Sequence, residues 1–113
     1  MTADADGCLL LYPQPEWLPI REQLLSLSAL NPQIRALQRL LIGHAESIQV
    51  DSAGRVLISP TLRSFANLDK RLMLVGLGNK FELWDEDKWH SQQKVGLQWM
   101  TGGMPAELTG FAL

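Results

Sequence analysis

Asp51-Ser52-Ala53-Gly54-Arg55 is the segment whose residue types and spacing point most directly to chemistry. An aspartate opening a tight turn accepts backbone N–H bonds, a glycine supplies positive φ, and an arginine four residues on leaves the turn as a projecting cation. Asp51 and Gly54 therefore read as turn-structuring residues and Arg55 as the contacting group. Pro60-Thr61-Leu62-Arg63 places a second arginine on the helix that follows, and two guanidiniums anchored near one hairpin can contact phosphates or guanine edges. Lys70 and Arg71 are their candidate phosphate partners. From Ser52 to Lys80 the basic residues are Arg55, Arg63, Lys70, Arg71 and Lys80 against Asp69 alone, whereas the whole chain carries a net charge of -2. Affinity for double-stranded DNA has to come from this clustering, not from bulk charge. A plain hairpin turn beside a solvated basic face accounts for the same residues without a ligand.

Other chemistries find less support. Arg35 and Arg39 share one face of a helix, but the helical hairpin that carries them has only Arg21 as a further basic residue, so a solvent-facing or subunit-facing role is expected over a recognition helix. His44, His90 and Cys8 lie far apart without paired ligand spacing, and no metal site or cofactor is expected. Gly76-Leu77-Gly78-Asn79-Lys80 lacks the third glycine and the Lys-Ser/Thr ending of a phosphate loop, so it reads as a turn. Asp85, Glu86 and Asp87 are explained by helix capping. No nucleophile elbow or Ser-His pairing is evident, and the chain is not read as an enzyme or as a binder of a small-molecule substrate.

These residues need elements to hold them. The run Cys8 to Tyr12, closed by Pro13 and Pro15, predicts a strand. Trp17, Ile20, Leu24 and Leu27 predict a helix, with Pro19 tolerated in its first turn; Asn31-Pro32 opens a second helix with the stripe Ile34, Leu37 and Leu41, stopped by a left-handed Gly43. The two stripes are expected to bury against each other. From Glu46 the apolar period becomes two, and Ile48 and Val50 with Val56 and Ile58 predict a β-hairpin around the Asp51 to Arg55 turn. A short helix from Pro60 to about Ala66, strands at Leu72 to Val75 and Phe81 to Trp84, and a helix from Glu86 to Val95 complete the chain, with a glycine-bearing tail beyond Gly96.

Leu9 to Trp17 aligns with Phe81 to Trp89 at a constant offset of 72 residues, matching Leu11 with Leu83, Tyr12 with Trp84 and Trp17 with Trp89. Each copy predicts strand, aromatic, turn and Trp-led helix. Only eight residues precede the first copy, so its strand is expected to lack pairing partners and to leave an open edge that drives self-association.

At 113 residues, with 46% hydrophobic and 19% charged residues, the chain has room for one ordinary domain or two very small units, and enough apolar material for a core. A single cysteine fits a reducing compartment. The longest apolar runs are far shorter than the roughly 20 residues that span a bilayer. Met1 to Gly7 lacks the features of a secretory signal and is expected to be frayed. A cytoplasmic location follows as the expectation.

Several separated motifs together resemble the MraZ family of bacterial transcriptional regulators, which are built from two tandem SpoVT-AbrB-type units. They are Leu9-Leu10-Leu11-Tyr12-Pro13 with Pro15-Glu16-Trp17, Asn31-Pro32, Arg39 through Ala45, Asp51 through Arg55, Met73-Leu74-Val75-Gly76, and Asn79 through Trp84. The resemblance implies an α+β fold, an AbrB-like swapped-hairpin β half-barrel with a helical hairpin ahead of it. It divides the chain into a remnant strand of a truncated first unit (1–14), a helical hairpin linker (15–45), a second AbrB-like unit (46–95) and a flexible C-terminal tail (96–113). The family carries an Asp-x-x-x-Arg hairpin in each unit, and Asp51 with Arg55 match the second. Also implied are assembly of subunits into a homo-oligomeric ring, association with the nucleoid, and binding to repeated promoter elements of the division and cell-wall gene cluster, usually as a repressor. The alternative is an oligomerisation module with little DNA binding of its own.

Overall fold

The computed structural model describes residues 1–102, 105–108 and 110. Four strands, β1 (Thr2–Ala3), β2 (Leu9–Leu11), β3 (Leu72–Gly76) and β4 (Phe81–Asp85), form one antiparallel sheet in the order β1-β2-β4-β3. Four helices, α1 (Gln14–Ser26), α2 (Pro32–Leu41), α3 (Pro60–Phe65) and α4 (Glu86–Thr101), accompany it. The fold is therefore mixed α and β, as expected.

Alternation along the strands divides the core between the two faces of the sheet. Leu9 and Leu83 are opposite each other in the β2–β4 register, and they bury against Leu62 in the first turn of α3 and Ala66 just past its end. Leu10 and Trp84 point the other way and bury with Cys8, where Leu41, Met73, Val75 and Trp89 pack around them. Strands β3 and β4 form around the expected Gly76 to Lys80 turn: Leu77 N donates to Lys80 O (2.8 Å), and Gly78 takes φ +80°.

The internal repeat is structural, and its two copies pair with each other. Leu9, Leu10 and Leu11 face Leu83, Glu82 and Phe81. At the end of each strand an aromatic side chain, Tyr12 just past β2 and Trp84 within β4, tilts against the tryptophan of the following helix, Tyr12 on Trp17 at 5.8 Å and Trp84 on Trp89 at 6.2 Å between ring centroids. This pairing corrects two expectations. β2 is not an orphan, because β1 flanks it on one side and β4 on the other. Nor is the start of the chain frayed, since Thr2 and Ala3 are buried, and the Thr2 hydroxyl donates to the Leu41 carbonyl at the end of α2.

The helical hairpin forms with the expected caps, but its stripes do not carry it. Asn31 Oδ1 accepts from Gln33 N at 2.9 Å, opening α2. Leu24 is the one buried residue of α1, and α2 has none. The helices are tied through polar groups instead: Gln38 Nε2 donates to Leu24 O (2.8 Å) in the last turn of α1, and Arg35 donates to Ala29 O (2.9 Å) and Leu30 O (3.2 Å) in the connecting loop. Pro19 lies inside α1 and not in its first turn, so the carbonyl of Pro15 loses its helical donor. Gly43 is needed for a different reason from the one expected. A Cβ there would sit 2.3 Å from the Arg39 carbonyl oxygen, so close approach and not positive φ excludes side chains.

The largest correction concerns residues 46–58. The turn forms, but no strand is present on either side of it. One backbone rung, Asp51 N to Arg55 O (2.9 Å), closes the loop. Two-residue-period sequence supplies the potential for a ribbon, but an isolated two-stranded ribbon is marginal without a third strand or a covered face. Here Val50 and Leu57 are exposed. The segment is anchored at its base only, where Glu46 N and Met1 O (2.8 Å) and Met1 N and Glu46 O (2.9 Å) form a two-way backbone pair. At the other end α4 runs to Thr101, beyond the expected Val95, so residues 96–101 are helix and not tail; residues 103, 104, 109 and 111–113 of the proposed tail lie outside the described residues.

Core and arm should respond differently to truncation. Leu62→Ala is expected to lower stability by about 2–5 kcal/mol, as for fully buried leucines, while Leu57→Ala on the exposed arm should change it by less than about 0.5 kcal/mol. Urea unfolding followed by circular dichroism distinguishes the two.

Candidate nucleic-acid interface

The Asp51 carboxylate organises the turn from inside. Its Oδ1 accepts from Ala53 N (2.9 Å) and Arg55 N (2.8 Å), while its backbone oxygen accepts from Gly54 N (3.0 Å). Gly54 takes φ +79°, which a side chain would strain. Asp51 Oδ2 then accepts from Arg55 Nε at 2.9 Å. The arginine is thus gripped by its inner nitrogen, and its two terminal nitrogens have no partner among the described residues. Its side chain stays 80% exposed. A guanidinium held this way presents a fixed two-donor fork to solvent, the geometry suited to a phosphate or to the O6/N7 edge of guanine. The Asp51 carboxyl is held below the usual carboxylate range, chiefly by the backbone N–H of Arg55, then by its side chain and by Ala53 N–H.

Arg63 stands exposed in the last turn of α3, the helix that follows the arm directly. Ser59 caps that helix, accepting from Leu62 N (3.3 Å) and donating to Glu46 Oε2 (2.7 Å), so the base of the arm and the helix start are joined. Arg63 Nη2 donates to Asp69 O at 3.4 Å.

Lys70 and Arg71 lie in a different environment. They share a small surface cleft with Asp69, Asp85, Glu86 and Asp87, and Arg71 Nε is 4.0 Å from Glu86 Oε2. Asp85 is committed to capping, accepting from Asp69 N (3.1 Å) and Asp87 N (3.2 Å). A phosphate approaching Lys70 or Arg71 meets this acidic group as well, which weakens both as anion ligands. Charge counting along the chain missed this because the acids return through the fold, from β4 and α4.

Lys80, also in the basic stretch, has its Nζ 6.0 Å from the Tyr12 ring centroid. His44 and His90 do not approach Cys8: His44 bonds to Leu40 O (2.8 Å) beside Phe65, and His90 faces Glu86. Cys8 meets two carboxylates instead, Asp4 and Glu82, a grouping that no local spacing announces. Burial, then Glu82 and Asp4, push its thiol up to about 12.

The most prepared feature of this mixed α and β chain is thus a carboxylate-tethered arginine on an exposed turn. Comparison with known proteins gives the family. The family model described as "MraZ protein, putative antitoxin-like" matches residues 41–97. Proteins named Transcriptional regulator MraZ are similar along the chain: that of Nitrosospira multiformis is 53% identical over all 113 residues, which cover 76% of its length. That of Thiobacillus denitrificans is 52% identical over the same span and share. One from Escherichia coli is 52% identical over 109 residues, 94% of this chain and 72% of its own. The chain belongs to the MraZ family.

The Asp51 tether has a pH signature. A carboxyl whose folded pKa is depressed contributes stability that is present above its unfolded value and is lost as pH falls through the folded one. Acidification below the ordinary carboxylate range should therefore release Arg55 Nε–H, with the Asp51 carboxyl carbon titrating below that ordinary range by NMR. Asp51→Asn should abolish that titration and broaden the Arg55 Nε–H signal.

Proposed function

We propose that this chain regulates transcription by binding double-stranded DNA, with Arg55 as the principal contact, Arg63 as a second, and Lys70 and Arg71 as weaker phosphate partners. The observation that carries the reading is the grip of Asp51 on Arg55 Nε, which leaves the guanidinium fork fixed and facing solvent. Preorganisation lowers the side-chain entropy lost on contact. The naming of relatives as transcriptional regulators supports it. As in the family pattern, the target is repeated promoter elements of the division and cell-wall gene cluster, the effect repression, and the place of action the cytoplasm, at the nucleoid. Among the described residues no helix is long and apolar enough to cross a membrane.

The arm fits this reading as half of an AbrB-like swapped-hairpin half-barrel, residues 46–95 forming the unit and 15–45 the linker from 1–14. Apart from the Met1–Glu46 pair and the bonds inside its own turn, the arm has no backbone partner among the described residues, and beside it lies a groove of about 690 Å³ walled by Leu11, Tyr12, Trp17, Ile48, Val50 and Phe81. A second hairpin entering there would supply the missing strands and cover the apolar walls.

Homo-oligomer formation has its own support. The chain exposes 8314 Å², whereas a compact monomer of 12.6 kDa exposes about 6,200 Å². The difference, about 2,100 Å² on one chain, exceeds the roughly 800 Å² each partner buries in a standard interface and falls in the range of extensive, obligate assemblies. The same excess favours the second reading, an assembly module whose DNA contacts are few, since Leu30 and Leu57 are 88% and 87% exposed.

Fluorescence anisotropy with labelled promoter duplex separates the readings. Arg55→Ala should weaken binding by about 1–3 kcal/mol if the fork reads a base edge. If it meets phosphate, affinity should fall evenly across sequences and the salt slope flatten by about one unit. The double variant Lys70→Ala/Arg71→Ala should cost less than Arg55→Ala. Replacing Arg35 and Arg39 together should leave affinity nearly intact, because Arg35 is spent on the carbonyls after α1. Unchanged affinity and salt slope in folded Arg55→Ala would favour the assembly module.

A further inference from the structure

We propose that Asp4, Cys8 and Glu82 bind a thiophilic divalent cation of the zinc class, clamping the start of the chain to β4. The donors come from three places in the fold: Asp4 directly after β1, Cys8 directly before β2, and Glu82 within β4, where it is the register partner of Leu10. One ligand atom from each lies within 4.8 Å of the other two. The set is also built, not gathered by chance rotamers. Asp4 N donates to Cys8 O (3.0 Å) and Gly7 N to Asp4 O (3.0 Å), so a tight turn with Gly7 at φ +87° fixes the first two donors. Trp84 Nε1 donates to Glu82 Oε1 at 3.1 Å and orients the third.

Cys8 contributes the soft donor and is the fully buried member of the three. Its side chain has no exposed surface, and its Sγ has no hydrogen-bond partner among the described residues outside the cluster, the one contact being Asp4 Oδ2 at 3.7 Å. A buried thiol is thus aimed into a half-buried pair of carboxylates. Neither carboxylate is ion-paired among the described residues; the nearby Lys88 Nζ donates to Gly7 O (3.4 Å). Like charges confined together favour a cation. The mixed sulfur and oxygen donors select zinc-class ions over magnesium and calcium, which take oxygen only. Zinc bonds of about 2.3 Å to sulfur and 2.0–2.2 Å to oxygen require the three side chains to close by about an ångström. Water completes the tetrahedron. On binding, the S–H bond breaks, sulfur donates its electron pair to the cation, and the proton passes to solvent.

Cobalt(II), which substitutes for zinc and reports thiolate ligation optically, is the probe. Titrated into the full chain, it should bind at one equivalent with a thiolate-to-cobalt charge-transfer band, release one proton per ion to an indicator dye, and be displaced by zinc. Cys8→Ala, checked for folding by circular dichroism, should lose the band. Glu82→Gln, which keeps an acceptor for Trp84, and Asp4→Asn should each weaken binding at least tenfold and decide the matter if Cys8→Ala does not fold. A folded chain that shows no band, or carboxylate variants that bind as tightly as the parent, would overturn the site.

Discussion

The antiparallel pairing of β2 with β4 is the constraint on which the rest of the structure depends. Leu9 and Leu83 are 74 residues apart in the chain and opposite each other in the sheet. Closing so long a loop costs conformational entropy before any contact repays it. The repayment is made on both faces at once. One side buries Leu9 and Leu83 under α3, and the other buries Cys8, Leu10 and Trp84 beneath Trp89 and the end of α2. Remove the pairing and α3, α4 and β1 each lose the surface they rest on.

The same pairing explains what was legible in the sequence. Local signals are legible: Asn31 caps α2, Pro60 opens α3, Asp85 caps α4, and Gly54 takes positive φ. The 72-residue repeat was legible because strand, aromatic and Trp-led helix recur together, but that its copies pair with each other depends on two distant segments meeting. Thr2 and Ala3 read as a frayed start for the same reason, since nothing local shows that β2 and Leu41 will cover them. The hairpin failed in the opposite direction. Period-two alternation from Ile48 to Ile58 is a true strand propensity, yet propensity becomes pairing only when a neighbour supplies the other half of the ladder.

Charge follows the same division between local and distant. Arg55 and Asp51 are four residues apart, and their relation could be read directly from the turn. Lys70 and Arg71 gain their acidic company from Asp85, Glu86 and Asp87, some fifteen residues later, so a count restricted to the basic stretch overstated their field. Cys8 shows the strongest case: its carboxylate neighbours stand four residues before it and 74 after it, and only the β2–β4 register makes them one group.

That register also relates the two unusual features of the molecule. Glu82 pairs with Leu10 across β2 and β4, one step from Phe81 opposite Leu11, and Leu11 and Phe81 wall the groove beside the arm. A cation held by Asp4, Cys8 and Glu82 would therefore tie the central pairing at the point from which that groove opens. An ion that binds only the folded chain stabilises it by about 2.7 kcal/mol at a hundredfold excess over its dissociation constant. In a chain with so few fully buried side chains, that is a large share of the typical margin of 5–15 kcal/mol. It would fall on the interaction that positions the walls of the groove, so cation binding and whatever occupies the groove act on one structural element. Arg55, anchored by its own local turn and distant in register from Glu82, keeps its orientation through Asp51 alone. The contact residue is set locally and the platform beneath it by long-range pairing.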